Sequence, residues 1–231
     1  MITAKDIICI PLLEEEIKEA ILKAKQNFSI AKRDNLRSRH INIQFDCLLR
    51  GYIGEYAIKK WLSECGIFLE VNNYISDGDN IDIDFLYKGK NIELKTSLVP
   101  DADVTIERSI AKRDIKIIKR DENIDKLHGD IHLQIYFRQR TKAKDKWLSE
   151  AEINLDEENI DLLYQSLLAR AYKDTVYFVG WIDKPALKNN IKSLHEKDRI
   201  WTFPGSSRHF WNCKLTACRK PIVLPDYLLT L

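Results

Sequence analysis

The segment Asn80–Ser97, NIDIDFLYKGKNIELKTS, sets four ionisable side chains of both signs into an alternating apolar frame. With a two-residue turn at Lys88–Gly89, Asp84 falls opposite Glu93 and Asp82 falls opposite Lys95. Residues that face each other across a hairpin share a sheet face, and so do residues two apart along one strand. Asp82, Asp84, Glu93 and Lys95 should therefore emerge together, with Ile81, Ile83, Phe85, Ile92 and Leu94 on the opposite, core face. A four-residue loop from Tyr87 to Lys90 keeps this pairing; a three-residue loop does not. Carboxylates gathered on one patch repel each other, and a divalent cation removes that cost. Oxygen ligands so placed suit Mg²⁺, with Mn²⁺ as a substitute and water or phosphate filling the remaining positions. A lysine beside such a cation can orient or help deprotonate an attacking water and stabilise charge building on phosphorus. The plainer alternative is an amphipathic edge hairpin with a solvated polar face and cross-strand ion pairs.

The elements that must position this patch can be read from periodicity. Leu12 to about Asn27 has helical spacing, acidic at its start and basic later, as the helix dipole favours. A second helix is expected from Phe45 to Cys65, stopped by Gly66. Gly51 and Gly54 lie inside it, and each costs roughly 1 kcal/mol relative to Ala. Close packing against the hairpin would justify them and would carry Glu55 toward the acidic face. Strands are expected at Ile67–Val71, across the hairpin, at Ile131–Phe137 and at Thr175–Ile182, with helices near Arg108–Arg120, Glu157–Ala171 and Pro185–Ile191. The order helix, three strands, helix, strand, helix, strand indicates an α/β fold with a mixed central sheet. The tail from Ile200 resists assignment.

This arrangement resembles the PD-(D/E)XK nuclease superfamily, the restriction-endonuclease-like fold. The resemblance rests on Gly51-x-x-Gly54-Glu55, then Asp84, then Glu93-Leu94-Lys95 with Thr96-Ser97 behind it, and covers roughly residues 45–97. It implies Asp84 and Glu93 as metal ligands together with the Leu94 carbonyl, Lys95 as the group serving the attacking water, and Glu55 as an auxiliary acid near the metal. Ile83 stands where the family pattern has Pro. Asp84 is preferred over Asp82 because two ligands of one metal should be directly opposed; Asp82 remains the accessory. The implied protein is a Mg²⁺-dependent endonuclease on double-stranded DNA, most simply a restriction enzyme acting as a homodimer. A repair or recombination nuclease of the junction-resolvase kind is the alternative within that class, and a non-catalytic DNA-binding protein on the same fold lies outside it.

The remaining sequence offers no competing site. It has no Walker loop, G-x-G-x-x-G or G-x-S-x-G, so no nucleotide cofactor is expected. His132 and Gln134 share a strand face and could line the cleft or form an ordinary satisfied polar pair. Trp201–Lys214, WTFPGSSRHFWNCK, mixes residues that stack on bases or read them with residues that would simply cap the sheet. His209, Cys213 and Cys218 lack an evident fourth partner for zinc, so reduced, buried thiols are the expectation. Net charge is only +2, but it is sorted along the chain: Arg108–Lys146 has twelve bases against six acids, and Lys184–Lys220 nine against two. Lys23–Arg50 is a third basic run. Such sorting suits a polyanion laid over an acidic pocket, though any one run also fits a solvated helix face. No apolar run reaches the roughly 18 residues of a membrane helix, and no signal peptide is recognisable, so a cytoplasmic protein is expected. One domain is expected over 1–231, its catalytic core at about 45–140 and its flanks serving DNA recognition or dimerisation.

Overall fold

The computed structural model describes residues 1–30, 39–72, 83–168, 175–202 and 208–231. The chain opens with strand β1 (Ile8–Pro11) and helix α1 (Glu14–Phe28), followed by the long helix α2 (Ile41–Glu64). The His40 side chain caps α2 by accepting from the Asn42 N–H, and Gly66, at φ +78°, turns the chain out of its far end. Three strands follow: β2 (Glu70–Val71), β3 (Phe85–Tyr87) and β4 (Lys90–Val99). Helix α3 (Ile106–Lys112) and the short β5 (Ile117–Ile118) lead to the central strand β6 (Ile131–Arg140). Helices α4 (Thr141–Glu150) and α5 (Ile160–Leu168) precede β7 (Thr175–Asp183) and α6 (Lys184–Ser193). The tail forms β8 (Ile200–Thr202), β9 (His209–Trp211) and α7 (Leu224–Leu229).

Six strands make one mixed sheet in the order β1-β7-β6-β4-β3-β2. β4 and β6 run parallel, and the other neighbours are antiparallel. A parallel pair needs a crossover, here the stretch holding α3 and β5. The expected order of helix, three strands, helix and strand is present with additions: β1 ahead of α1, β5 between α3 and β6, and two helices rather than one before β7. The sheet takes β1 and β7 from both sides of the expected 45–140 core, so the flanks complete the same sheet. β5, β9 and β8 form a separate three-stranded sheet. Among the described residues no helix is long and apolar enough to cross a membrane.

Each face of the sheet is covered. Ile92, Leu94, Leu133 and Ile135 pack with Ile17 and Ile21 of α1 and with Leu49, Ile53 and Ala57 of α2. The other face packs Tyr136, Val179 and Ile182 against Ile106 and Ile110 of α3, Ile117, and Trp211. The expected helix at Arg108–Arg120 is a correction: α3 ends at Lys112, and Ile115 and Ile117 are buried at strand spacing, with Ile117 paired to Trp211. The strand expected at Ile67–Val71 reduces to Glu70–Val71.

Candidate active site

The hairpin register is set by its turn. Lys88 and Gly89 both take positive φ, 46° and 74°, the geometry of a two-residue turn that matches strand twist. Pairs run Tyr87↔Lys90, Leu86↔Asn91 and Phe85↔Ile92. Past that point the ladder changes. The Asp84 N–H donates to the Ile92 carbonyl at 3.0 Å, and the Asp84 carboxylate Oδ2 accepts the Leu94 N–H at 2.6 Å. Asp84 is thus not simply face to face with Glu93; its carboxylate takes the place of a backbone acceptor at the edge of β4. Within an extended residue the C=O points to the same strand edge as the N–H, so the Leu94 carbonyl is directed to Asp84's side. Asp82 and Ile81 lie outside the described residues.

β4 then presents Glu93 and Lys95 on the face away from α2. Lys95 Nζ stands 2.8 Å from Glu93 Oε1. The other carboxylate oxygen, Oε2, is 2.8 Å from His132 Nδ1, because the parallel register sets Glu93 beside His132 and Lys95 beside Gln134. Glu93 and His132 are 4% and 2% exposed, so their contact lies in the interior. Gln134, fully buried, donates Nε2 to the Lys95 carbonyl at 2.9 Å and to Ser97 Oγ at 3.0 Å, and accepts the Lys116 N–H at 3.1 Å. It fixes the backbone that carries Lys95. His132 and Gln134 were legible as one strand face; that His132 would touch Glu93 was not.

α2 supplies the fourth residue by close approach. A Cβ on Gly54 would stand 2.6 Å from Ile135 Cδ1 and 2.8 Å from Thr96 Cγ2, so a larger residue would have to displace these side chains where the helix meets β4 and β6. Gly51 is a correction: a Cβ there meets nothing within 4 Å, so packing does not explain it. Glu55, next to Gly54, is ion-paired with Lys23 Nζ of α1 at 3.0 Å, and Lys23 lies 4.6 Å over the Tyr52 ring.

The electrostatics tie these groups together. Burial pushes the Asp84 carboxyl up to about 8; the charges of Glu55 and Glu93 add to the rise, while Lys95 and the Leu94 N–H oppose it. Burial also raises the Glu55 carboxyl, against the pull of Lys23. The Asp84 carboxyl lies in the field of both Glu55 and Glu93, and a cation could take the place of its proton. Among the described residues no three His, Cys, Asp or Glu side chains converge as a ready ligand cluster. The donors do fit Mg²⁺ in kind, since that ion keeps several waters and is held through one or two carboxylates rather than a closed protein cage. Asp84, Glu93 and the Leu94 carbonyl are the hard oxygens on offer, with Glu55 at the margin.

His209 bonds Thr202, and Cys213 and Cys218 are both buried. In the tail, Trp201 stacks on Phe210 with centroids 4.6 Å apart, so part of its aromatic content closes the small sheet. No family model, curated protein or solved structure matches this chain.

Proposed function

We propose that the protein is a metal-dependent endodeoxyribonuclease that hydrolyses phosphodiester bonds of double-stranded DNA, in the manner of a restriction enzyme. The observation that carries this reading is the Glu93–Lys95 pair, 2.8 Å apart on β4, beside an Asp84 carboxylate anchored on the intervening Leu94 N–H. Asp84, Glu93 and the Leu94 carbonyl would hold Mg²⁺ or Mn²⁺, which supplies Lewis-acid polarisation of the phosphate and a more acidic water. The chain's own residues do the rest. Lys95, its backbone fixed by Gln134, places an ammonium where charge builds on phosphorus and where a proton of the attacking water can be managed. Glu55 and Lys23 hold the margin of the acidic site. The basic runs Lys23–Arg50, Arg108–Lys146 and Lys184–Lys220 give the field that draws a polyanion toward it. Cutting both strands with one site per chain is met most simply by a two-fold homodimer.

Plasmid incubation with Mg²⁺ or Mn²⁺ against an EDTA control tests the reading. Discrete, metal-dependent fragments support a restriction activity, and nicking or smearing points to another nuclease role. A mobility shift without cleavage in either metal refutes catalysis and leaves a binding protein.

A further inference from the structure

His132 has no role in the chemistry above as ligand, water-handling group or DNA contact, yet it is buried beside Glu93. Its Nδ1 lies 2.8 Å from Glu93 Oε2, and its other ring nitrogen, Nε2, is buried with no hydrogen-bond partner. A carboxylate accepts, so Nδ1 carries the proton that bridges to Glu93. The Gly129 backbone covers that edge of the ring. A Cβ at Gly129 would stand 2.7 Å from His132 Cε1 and 3.2 Å from Nε2, so a larger residue would push the imidazole away. The turn bearing Gly129 is itself clamped to β4. The Asp130 N–H donates to the Asn91 carbonyl at 2.7 Å, Asp130 Oδ2 accepts the Asn91 N–H at 3.0 Å, and Asn91 Nδ2 donates to the His128 carbonyl at 3.2 Å.

We propose that His132 is a positioning residue for Glu93: it donates Nδ1–H to Oε2 and fixes the carboxylate plane, so that Oε1 is presented to Lys95 and to an incoming cation. This rests on the reading of Glu93 as a cation ligand. Among the described residues Lys95 and His132 reach the two oxygens, and they differ in kind. Lys95 is charged and competes with a cation for Oε1. His132 holds the other oxygen through a ring N–H and keeps the carboxylate oriented when Lys95 gives way. Partners of this kind behind a ligand typically change metal affinity by about 10–100-fold when removed.

The test uses the full chain without DNA. Calorimetric titration with Mn²⁺ compares wild type, His132→Leu and His132→Asn, with thermal melting of each as a fold control. Asn carries an N–H donor the same number of bonds from Cα as His Nδ1, so it can restore the contact. His132→Leu should bind Mn²⁺ about 10–100-fold more weakly, and His132→Asn should recover most of the loss. Equal affinity in all three, or no recovery by Asn, overturns the positioning role while leaving the metal site standing. A wild type that binds no Mn²⁺ overturns the metal reading itself and this inference with it. Should His132→Leu not fold, Gly129→Ala takes its place, since the new Cβ displaces the ring; unchanged Mn²⁺ affinity there counts against the role. Nitrogen-15 spectra of the wild-type ring give an independent check: protonation on Nε2 instead of Nδ1 overturns the proposal.

Discussion

Asp84→Asn should make the metal-free protein more stable and at the same time remove its Mn²⁺ binding. The Asp84 carboxyl is raised from 3.8 to about 8, with burial as the main cause. The unfolded chain gives up this proton near 3.8, whereas the folded chain holds it until about 8. Stability linked to the protonated carboxyl is therefore fully present below 3.8 and is lost steadily as pH rises toward 8. One pKa unit corresponds to about 1.4 kcal/mol, so at neutral pH the accumulated loss is at most about 4 kcal/mol. Asp84 keeps some solvent contact, and relaxation around it reduces this to about 1–2 kcal/mol. Asn removes the charge but keeps an oxygen to accept the Leu94 N–H, so little opposes the gain. For a chain of this size about 1 kcal/mol moves the melting temperature by roughly 2–4 °C. In EDTA the variant should melt several degrees above wild type near pH 8, and the two should converge near pH 5. With Mn²⁺ added, wild type should gain stability and Asp84→Asn should not. A variant that melts below wild type at pH 8 in EDTA, or that still binds Mn²⁺ as wild type does, would refute the placement of Asp84 in a buried acidic site.

Lys95→Ala should lower cleavage by about 10²–10⁴-fold with DNA affinity largely kept; gel-based cleavage retaining more than about a tenth of wild-type activity would count against its role. If the basic runs meet phosphates, DNA affinity should fall by orders of magnitude between about 50 and 200 mM salt, and a flat titration would reduce them to solvated faces. Gly54→Ala should destabilise by about 1–3 kcal/mol, since its Cβ meets Ile135 and Thr96, as urea unfolding would show. Gly51→Ala, with open space around the new Cβ, should instead stabilise by up to about 1 kcal/mol in the same assay. The Asp103 carboxyl is held below its usual range chiefly by Arg113, which grips both its oxygens at 2.7 Å. Its contribution is present above the unfolded carboxylate pKa and lost as pH falls through the lower folded value, so Asp103→Asn should flatten the acid limb of the stability curve.

What could be read from the sequence depended on whether one segment carried its own constraint. The hairpin did: two turn residues at positive φ fix the pairing of Phe85–Tyr87 with β4 locally, so Glu93 and Lys95 could be put on one face without knowing the rest. α1 and α2 did too, through their apolar stripes. α4 did not. Its buried positions are Leu148 and Lys144, and Lys144 is inside because its ammonium meets the fully buried Asp46 carboxylate of α2 at 2.6 Å. A pattern of apolar residues cannot show an element buried through an ion pair. The segment at Arg108–Arg120 misleads for a different reason. Its isoleucines change from helical to strand spacing between Ile110 and Ile115, and one window averages the two. β5, β8 and β9 hold two or three residues each, too few for any period, and exist only because they pair with one another.

The site divides along the same line. Contacts within β3 and β4 come from a turn of two residues, whereas Glu93 meets His132 only through the parallel register of β4 and β6. No two-residue turn sets that register; the two strands are joined by a long crossover, and the turn at His128–Asp130 is bonded to Asn91 at the start of β4. Gly54 gives the sequence-level signal on the opposite face, where a helix glycine allows Ile135 and Thr96 to meet α2 directly. Glycines mark both approaches to the site: Gly54 brings the helix down to the sheet that carries Glu93 and Lys95, and Gly129 seats the imidazole behind Glu93. A glycine in this chain is thus informative when its missing Cβ would meet an opposing side chain. By that measure Gly54 and Gly129 belong to the architecture of the site, and Gly51, despite its place in the motif, does not.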